Sequence, residues 1–250
     1  DNFSGTQKFQ RNDVKYYYHD ICNRDEISHL FKDVDVVYHL AAEVSIPKSL
    51  EMPIKTIRTN TMGTTNVLEL SRRHKVKRVI YSSTSAGYGS KSPYAVSKVA
   101  GEEICKMYTE MYGLETVIFR YFNVYGNRQP KEGQYAPVIG IFSRQVKNGE
   151  PMTVVGDGSQ ERDFVNVEDV VTANILASNL QNKKPLNKII DVGTGTSHKI
   201  IDIAKMFGND IVNIPPRLGE IHKSVSCTKT IEETLDYKPL DKLKEFVYNI

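Results

Sequence analysis

The chain has 250 residues, of which 40% are hydrophobic and 25% charged, as is ordinary for a globular protein with one large α/β domain or two small ones. Its 33 basic and 30 acidic residues are well mixed and leave a formal charge of +3, an excess too small to indicate nucleic-acid binding. No apolar run approaches the roughly 18 residues that a membrane span needs, and no signal peptide is visible. The three cysteines, Cys22, Cys105 and Cys227, form neither a disulfide framework nor a metal-binding pattern, so we expect a cytoplasmic protein without a metal site.

Short apolar runs alternate with longer stretches of helical periodicity. Strands are predicted at residues 34–40, 76–81, 116–121, 153–155 and 189–192. Helices are predicted at residues 62–74, 94–112, 137–147, 167–179, 200–207 and 240–248. Because the strands are β-branched and apolar on both faces, this alternation predicts a parallel sheet that is covered by helices on both sides.

Small, hydroxyl or amide side chains follow three of the predicted strands. Ala41 and Ala42 follow the first, the cluster Ser82-Ser83-Thr84-Ser85 follows the second, and Asn123 comes shortly after the third. The carboxyl ends of parallel strands meet at one edge, where open α/β sheets bind their ligands. One such residue could simply begin a loop, but three in register indicate a ligand-binding edge.

Tyr94 and Lys98 are four residues apart in a predicted helix, so they share one helical face. An ammonium beside a phenol favours the phenolate and lowers its pKa from about 10 toward neutrality. A phenol tuned in this way can take a proton from a sugar hydroxyl. The spacing alone is a weak signal, because such pairs also occur by chance on surface helices. Pro93 strengthens it by marking a helix start, and the hydroxyl cluster ending at Ser85 could bond the Tyr94 oxygen.

Seven short motifs follow one another along the chain. They are Asp1-Asn2, His39-Leu40-Ala41-Ala42, Asn60-Thr61-Met62-Gly63-Thr64, Tyr81-Ser82-Ser83-Thr84, Ser92-Pro93-Tyr94-Ala95-Val96-Ser97-Lys98, Arg120-Tyr121-Phe122-Asn123-Val124-Tyr125-Gly126 and Gly156-Asp157-Gly158-Ser159-Gln160-Glu161-Arg162-Asp163-Phe164. In this order and spacing the chain resembles, nearly end to end, the extended short-chain dehydrogenase/reductase family. The resemblance is to its nucleotide-sugar epimerase and dehydratase branch, and within that branch to UDP-glucose and UDP-N-acetylglucosamine 4-epimerases. It implies NAD as the cofactor and a nucleotide-diphosphate sugar as the substrate.

The resemblance implies a catalytic role for three residues: Tyr94 as the acid/base, Lys98 holding the nicotinamide ribose and polarising Tyr94, and Thr84 relaying the proton. The residues implied to bind NAD are Asp1, Asn2, Asp20, Ile21, Leu40, Ala41, Ala42, Asn60, Ser82, Tyr94, Lys98 and Tyr121. The residues implied to bind the nucleotide sugar are Thr84, Asn123, Val154, Arg162, Arg217 and Glu220. Arginines suit a diphosphate because they donate bidentate, charge-assisted hydrogen bonds, although a single arginine is more often a solvated surface charge.

The implied fold is an α/β, doubly wound parallel Rossmann sheet with a smaller C-terminal substrate-binding lobe. Residues 1–126 and 160–194 would form the dinucleotide-binding domain, and residues 127–159 and 195–250 the nucleotide-sugar-binding lobe. Dinucleotide folds place a Gly-rich turn after the first strand and an acidic residue about 20 positions later. Asp1 fits that acidic residue, so the first βαβ portion of the sheet is expected to precede residue 1. The alternative is a fragment that holds NAD poorly, because the turn at Gly193-Thr194-Gly195 lies at the wrong end of the pattern to replace the missing one.

The residues after the hydroxyl relay separate the reactions of this branch. Sugar 4,6-dehydratases resemble one another in an acidic pair directly after the Thr, and nucleotide-sugar decarboxylases often have a Glu nearby. Here Thr84 is followed by Ser85, Ala86 and Gly87, so elimination lacks its acid. We therefore expect a 4-epimerase that oxidises the sugar transiently to its 4-keto form. The expected substrates are UDP-glucose and UDP-galactose or the N-acetylated pair, whose group has a segment similar to residues 45–49.

Other interpretations stay open. The chain could be another enzyme of the branch: a decarboxylase, a dehydratase using different residues, or a C5 or C3,5 epimerase. It could also be a catalytically silent scaffold that binds the cofactor. Between Gly89 and Tyr94 there are only the residues 90–93, where relatives carry a longer loop on the substrate side.

The resemblance also implies a homodimer, formed through the helix after Asn60 and the helix that carries Tyr94. Apolar residues that could form this interface are Leu68, Leu70, Ile104, Tyr108 and Met111. In sequence, however, such residues look the same as core residues.

Overall fold

The structure is a computed structural model and describes residues 10–133, 135–179, 188–216 and 221–250. The chain divides into two compact units. The first unit holds the described residues within 1–82, 92–118 and 183–188, and the second holds those within 83–91, 119–182 and 189–250. The proposed division into a dinucleotide-binding domain and a sugar-binding lobe stays a prediction.

Strands and helices alternate along most of the chain. The helices are α1 (Arg24–Ile27), α2 (Ile46–Glu51), α3 (Pro53–Ile57), α4 (Gly63–Arg73), α5 (Pro93–Tyr112), α6 (Val138–Lys147), α7 (Val167–Ser178), α8 (Ile200–Phe207), α9 (Lys229–Leu235) and α10 (Leu243–Tyr248). The strands are β1 (Val36–His39), β2 (Arg78–Thr84), β3 (Glu115–Tyr121), β4 (Asn123–Tyr125), β5 (Met152–Val155), β6 (Glu161–Asn166), β7 (Ile189–Val192), β8 (Ser197–Lys199), β9 (Ile211–Ile214) and β10 (Lys223–Ser224). Every strand and helix predicted from the sequence is present, with ends displaced by up to three residues.

The main sheet has four strands in the order β1-β2-β3-β7. β1 and β2 run parallel, in a register that extends from Val36 opposite Arg78 to His39 opposite Tyr81. All residues of β2 are buried, and so is the middle of β3. Strands that are buried on both faces need helices on both sides of the sheet. The predicted α/β class with a parallel sheet is therefore confirmed.

Local sequence fixes both ends of the 20-residue helix α5 in the first unit. At its start, the Ser92 hydroxyl accepts a hydrogen bond from the Ala95 N–H at 3.2 Å, and Pro93 occupies a first-turn position that needs no N–H donor. At its end, Gly113 adopts a φ of 70°, a left-handed conformation that glycine reaches without a Cβ clash. The helix thus begins directly before Tyr94, which places the predicted catalytic pair in its first two turns.

Strand β6 is central to the second unit. It pairs in parallel with β4 and β10 and antiparallel with β8, while β5 and β9 form a separate parallel pair. The hydrophobic core of this unit consists of Tyr125, Ile139, Phe142, Met152, Val154, Phe164, Ile203, Ala204, Leu243 and Val247.

Membrane-spanning helices, disulfides and metal sites are the three features that the composition argued against. Within the described ranges, no helix is both long and apolar enough to cross a membrane. The three cysteines are free thiols, and no cluster of three or more His, Cys, Asp or Glu among the described residues could hold a metal ion. The cytoplasmic location stays a prediction.

An ion pair in the second unit predicts a pH-dependent stability. His198 on β8 lies 2.8 Å from the Asp241 carboxylate, measured from Nε2 to Oδ2. This hydrogen bond raises the pKa of His198 above its usual range and lowers the pKa of Asp241 below its own. The histidine contribution is thus complete below about pH 6.5 and is lost as the pH rises through the raised pKa. The aspartate contribution is present above about pH 4 and is lost as the pH falls through the lowered pKa.

We expect His198→Gln to reduce the free energy of unfolding more at about pH 5.5 than at about pH 8.5. Urea unfolding of both proteins at the two pH values measures this difference. His222→Gln serves as the matched control, because the ion pairs of the described residues do not include His222. An equal loss for His198→Gln at both pH values would contradict the assignment.

Candidate active site

Tyr94 and Lys98 lie one helical turn apart near the start of α5. Tyr94 is partly buried, whereas Lys98 is only 3% exposed. The Lys98 ammonium Nζ lies 4.3 Å from the centroid of the Tyr81 ring, and the Tyr81 hydroxyl donates a hydrogen bond of 3.1 Å to the Lys98 carbonyl oxygen. Residues four apart on a helix project from the same face, so Tyr94 and Lys98 share one face of α5, and their catalytic roles stay a prediction.

Burial governs the charge of Lys98. It lowers the pKa of the ammonium to about 8, while Cys105 and Glu102 on the same helix act in the opposite direction. Within the described ranges, no carboxylate and no hydrogen-bond acceptor pairs with this ammonium. A buried ammonium without hydrogen-bonding partners is costly. Its donors fit the hydroxyl groups of a ribose, so the residues present suit the nicotinamide ribose of NAD.

His39, at the end of β1, is neutral at ordinary pH. Burial, together with the nearby Lys98, lowers its pKa to about 3. Its Nε2 lies 2.9 Å from the Thr64 hydroxyl, which in turn donates a 2.6 Å hydrogen bond to the Asn60 carbonyl. His39 therefore brings no positive charge of its own to the neighbourhood of the Lys98 ammonium.

Asn60 connects the loop after β1 to the helix of Tyr94. Its amide oxygen accepts a 2.8 Å hydrogen bond from the Glu43 N–H, and its amide nitrogen donates to the Glu43 carbonyl at 3.0 Å and to the Ser97 hydroxyl at 3.0 Å. Asn60 is 1% exposed. It fixes the backbone that follows Ala42, and its implied contact with NAD stays a prediction.

The remaining residues implied to bind NAD lie in varied environments. Leu40 is 59% exposed after β1, followed by Ala41 and Ala42, so the small side chains leave this backbone accessible. Asp20 is exposed and accepts a 2.8 Å hydrogen bond from the Cys22 N–H, and Ile21 packs against Gly63, where a Cβ would meet Ile21 Cδ1 at 2.4 Å. Ser82 is buried on β2. Asp1 and Asn2 lie outside the described residues.

In the second unit, Thr84 ends β2 and begins a tight turn. Its hydroxyl accepts a 3.2 Å hydrogen bond from the Ala86 N–H. The next residues, Ser85–Tyr88, form one turn of 3₁₀ helix and carry no acid. The Ser90 N–H donates to the Ala86 carbonyl at 3.0 Å, so the short segment before α5 is ordered by its own backbone.

The implied sugar-binding residues of this unit are only partly brought together. The Asn123 amide donates a 2.7 Å hydrogen bond to the Asp163 carbonyl, and Asn123 lies opposite Phe164 in the β4–β6 pairing, two residues from Arg162. Arg162 Nη1 donates to the carbonyls of Glu161 and His222 at 2.9 and 3.3 Å. Val154 is 1% exposed and packs in the core, so its side chain is not available to a ligand. Arg217 and Glu220 lie outside the described residues.

Tyr121, the remaining residue implied to bind NAD, ends β3. Its hydroxyl donates a 3.1 Å hydrogen bond to the Asn174 side chain on α7. This bond orients the ring, and the contact of Tyr121 with NAD stays a prediction.

A buried carboxylate that the sequence did not single out organises the same unit. Asp163 is fully buried and accepts hydrogen bonds of 2.6 to 3.1 Å from the backbone N–H groups of Thr194, Gly195 and Ser226 and from the hydroxyls of Thr194 and Ser226. At Gly193 a Cβ would lie 2.7 Å from Asp163 Oδ2, so this position needs glycine. The Gly-Thr-Gly turn that follows β7 therefore wraps around a carboxylate of the protein itself.

A second cluster, also missed in the sequence, holds the 3₁₀ turn after Thr84. The Tyr88 hydroxyl donates a 2.7 Å hydrogen bond to Asp191, and the Arg120 guanidinium lies 4.2 Å from the Tyr88 ring centroid. Burial raises the pKa of Asp191 above its usual range and that of Tyr88 to about 12. The cluster thus fixes the turn to β3 and β7. The only sequence signal was the presence of these polar residues near strand ends.

Comparison with known proteins gives consistent matches. The family model described as "NAD dependent epimerase/dehydratase family" matches residues 1–193. A UDP-N-acetyl-alpha-D-glucosaminuronate decarboxylase of Bacillus cytotoxicus is 35% identical over 264 residues, covering 87% of this chain and 80% of that protein. A UDP-glucose 4-epimerase of Mycolicibacterium smegmatis is 32% identical over 232 residues, covering 84% of this chain and 73% of that protein.

A solved structure extends this likeness to the fold. The crystal structure of UDP-glucose 4-epimerase with UDP-glucose from Thermotoga maritima superposes with a TM-score of 0.92 at 31% identity. The match covers 99% of this chain and 86% of that chain. The parallel sheet described above thus matches the sheet of Rossmann-fold epimerase structures.

Proposed function

Because the chain belongs to the NAD-dependent epimerase/dehydratase family, we propose that it epimerises C4 of a nucleotide-activated sugar. The cofactor is NAD, as the family match indicates. The proposed substrates are UDP-glucose and UDP-galactose or their N-acetylated forms. The proposed route is transient oxidation to the 4-keto sugar, followed by reduction from the opposite face.

The observation that carries this proposal is the buried Lys98 ammonium on the same helical face as Tyr94. A positive charge with few partners stabilises the phenolate of a nearby tyrosine. Tyr94 is then able to take the C4 hydroxyl proton near neutral pH. It returns the proton after the 4-keto sugar has rotated to present its opposite face to the cofactor. NAD, when bound, supplies the hydride chemistry.

The other proposed roles follow from the position of each residue. Lys98 holds the nicotinamide ribose through N–H donors that have no hydrogen-bond acceptor among the described residues. Thr84 relays the proton, and Asn123 and Arg162 bind the diphosphate, for which a guanidinium beside an amide provides charge-assisted donors.

Decarboxylation is the strongest alternative, because a relative at 35% identity is a nucleotide-sugar decarboxylase. Against it stands the turn after Thr84, which consists of Ser85, Ala86, Gly87 and Tyr88 and supplies no acidic side chain. The same absence disfavours dehydration, which needs an acid to expel the hydroxyl as water. Epimerisation needs no such acid, because Tyr94 and Thr84 move the proton and the cofactor carries the hydride.

Product analysis separates these reactions. The protein is incubated with NAD and, in turn, with UDP-glucose, UDP-N-acetylglucosamine and UDP-glucuronic acid, and the nucleotide sugars are analysed by liquid chromatography and mass spectrometry. Epimerisation gives a new species of unchanged mass from one of the first two sugars. Loss of carbon dioxide from UDP-glucuronic acid, or loss of water from UDP-glucose, would instead establish a decarboxylase or a dehydratase.

A homodimer through α4 and α5 is also proposed. Of the interface candidates, Leu68, Leu70 and Tyr108 are buried in the first unit and belong to its core, whereas Met111 is exposed. Val96 and Met107 are exposed on the same helix as Met111. We expect light scattering to give twice the mass of the chain, with Met111→Glu shifting it toward the monomer. A monomer at all concentrations would contradict this proposal.

A further inference from the structure

Tyr81 is a fully buried tyrosine of β2 to which the proposed chemistry assigns no role. Its ring lies under the Lys98 ammonium, with Nζ 4.3 Å from the ring centroid, and its hydroxyl donates to the Lys98 backbone carbonyl at 3.1 Å. Tyr81 thus contacts both the ammonium group and the backbone carbonyl of Lys98. The face of an aromatic ring carries negative charge density, which attracts a cation placed above it.

Helix α5 has a glycine at the position where the Tyr81 ring packs against it. At Gly101 on α5, a Cβ would lie 2.1 Å from the Tyr81 hydroxyl oxygen and 2.6 Å from Cζ. Any larger residue at this position would push the helix away from the ring. The close approach of α5 to β2 therefore depends on a glycine three residues after Lys98.

The geometry points to Tyr81 as a positioning residue that keeps the buried Lys98 charged and aimed, by a cation–π contact with its ring and a hydrogen bond from its hydroxyl. For its effect on Tyr94 this inference rests on the proposed function, but the effect on Lys98 itself does not. No contact with the sugar or the cofactor is proposed for Tyr81. It acts through Lys98 alone.

Among the described residues, the titratable and charged groups that face Lys98 come from three elements. His39 on β1 is neutral, with a pKa of about 3, and its ring lies 5.7 Å from the Tyr81 ring. From α5 come Tyr94, Glu102 and Cys105, of which Glu102 and Cys105 raise the pKa of Lys98 against the larger effect of burial. From β2 comes Tyr81. Removing the ring removes a direct contact with the ammonium, so the pKa of Lys98 falls below its value of about 8.

Nuclear magnetic resonance measures this effect on the full chain. The protein is labelled with ¹³C at lysine Cε and titrated, and the Lys98 signal is identified as the one missing from Lys98→Met. Tyr81→Leu is expected to lower the pKa of Lys98 by about one pH unit. Tyr81→Phe keeps the ring and should leave the pKa nearly unchanged, and Phe142→Leu, a buried ring lost from the core of the other unit, is the matched control.

Ring-fluorinated phenylalanine in place of Tyr81 keeps the experiment decisive if Tyr81→Leu does not fold. Fluorine withdraws electron density from the ring face while the shape is retained, so the pKa of Lys98 should fall relative to Tyr81→Phe. The same pKa in the fluorinated, Phe and wild-type proteins would overturn the proposal.

Turnover separates this inference from the proposed function. In an active enzyme, Tyr81→Leu should move the acid limb of kcat/KM to higher pH, because a less charged Lys98 stabilises the Tyr94 phenolate less. An unmoved limb in the folded variant would overturn the inference while the proposed function stands. If the wild-type protein turns over no nucleotide sugar, the proposed function fails, and the titration of Lys98 still decides the role of Tyr81.

Discussion

Tyr94→Phe is expected to lower kcat for the epimerisation by about 10²- to 10⁴-fold, the usual contribution of a positioned acid/base. The substitution removes only the oxygen that takes the C4 proton and keeps the ring in the first turn of α5. The affinity for the nucleotide sugar should change little, because the residues proposed to bind the diphosphate are elsewhere in the chain. Initial rates at saturating substrate, together with thermal unfolding, measure the two properties.

Tyr112→Phe is the matched control for this prediction. Tyr112 is the last residue of the same helix and is 54% exposed, so the loss of its hydroxyl should leave kcat unchanged. A Tyr94→Phe protein that keeps more than about a tenth of the wild-type kcat would remove Tyr94 from the acid/base role. An active wild-type enzyme would then need another base. If the wild-type protein turned over no nucleotide sugar and Tyr94→Phe changed no phenotype, the chain would be a catalytically silent scaffold.

Asp163→Asn is expected to lower the free energy of unfolding by about 3 kcal/mol or more, because each unsatisfied buried polar group costs about 1–3 kcal/mol. Both carboxylate oxygens of Asp163 accept backbone N–H groups: Oδ1 from Thr194, and Oδ2 from Gly195 and Ser226. An asparagine can present an oxygen to only one side, and its NH₂ then faces donors on the other. For a chain of this size, such a loss corresponds to a fall in the midpoint of thermal unfolding of about 6–12 °C.

Asp157→Asn is the control for this second prediction. Asp157 lies in an exposed turn and accepts a 2.9 Å hydrogen bond from the Ser159 N–H, which an asparagine oxygen also accepts. We expect a change within about 0.5 kcal/mol. An Asp163→Asn protein as stable as the wild type would show that the turn around Gly193–Gly195 does not depend on the carboxylate. Calorimetry of the three proteins at one pH suffices.

The sheet and its helices were predictable because their signals are local and periodic. The apolar run that became β2 is buried throughout, and α5 has a serine cap, a proline at its start and a glycine at its end. Strand β6 was missed because its first three residues, Glu161, Arg162 and Asp163, are charged, and charge normally indicates a surface. The burial of Asp163 depends on donors that are 31 to 63 residues away in sequence.

The candidate site was predictable only in part, for a related reason. The helical spacing of Tyr94 and Lys98 follows from sequence alone, and so does the absence of an acid after Thr84. The contacts of Tyr81 with Lys98, of Asn60 with Glu43 and of Tyr88 with Asp191 depend on tertiary packing. A tyrosine in an apolar strand gives no sign of which side chain will lie over its ring.

The central claim is that C4 of the sugar is inverted by reversible oxidation, and proton NMR in deuterated water tests it most directly. The protein is incubated with UDP-glucose and with UDP-N-acetylglucosamine, and the sugar C4 and C5 protons are followed over time. The account predicts that one of these sugars is converted to its 4-epimer with no deuterium in the ring, because the hydride returns to the carbon that it left. Deuterium at C5, or no turnover of either sugar, would contradict it.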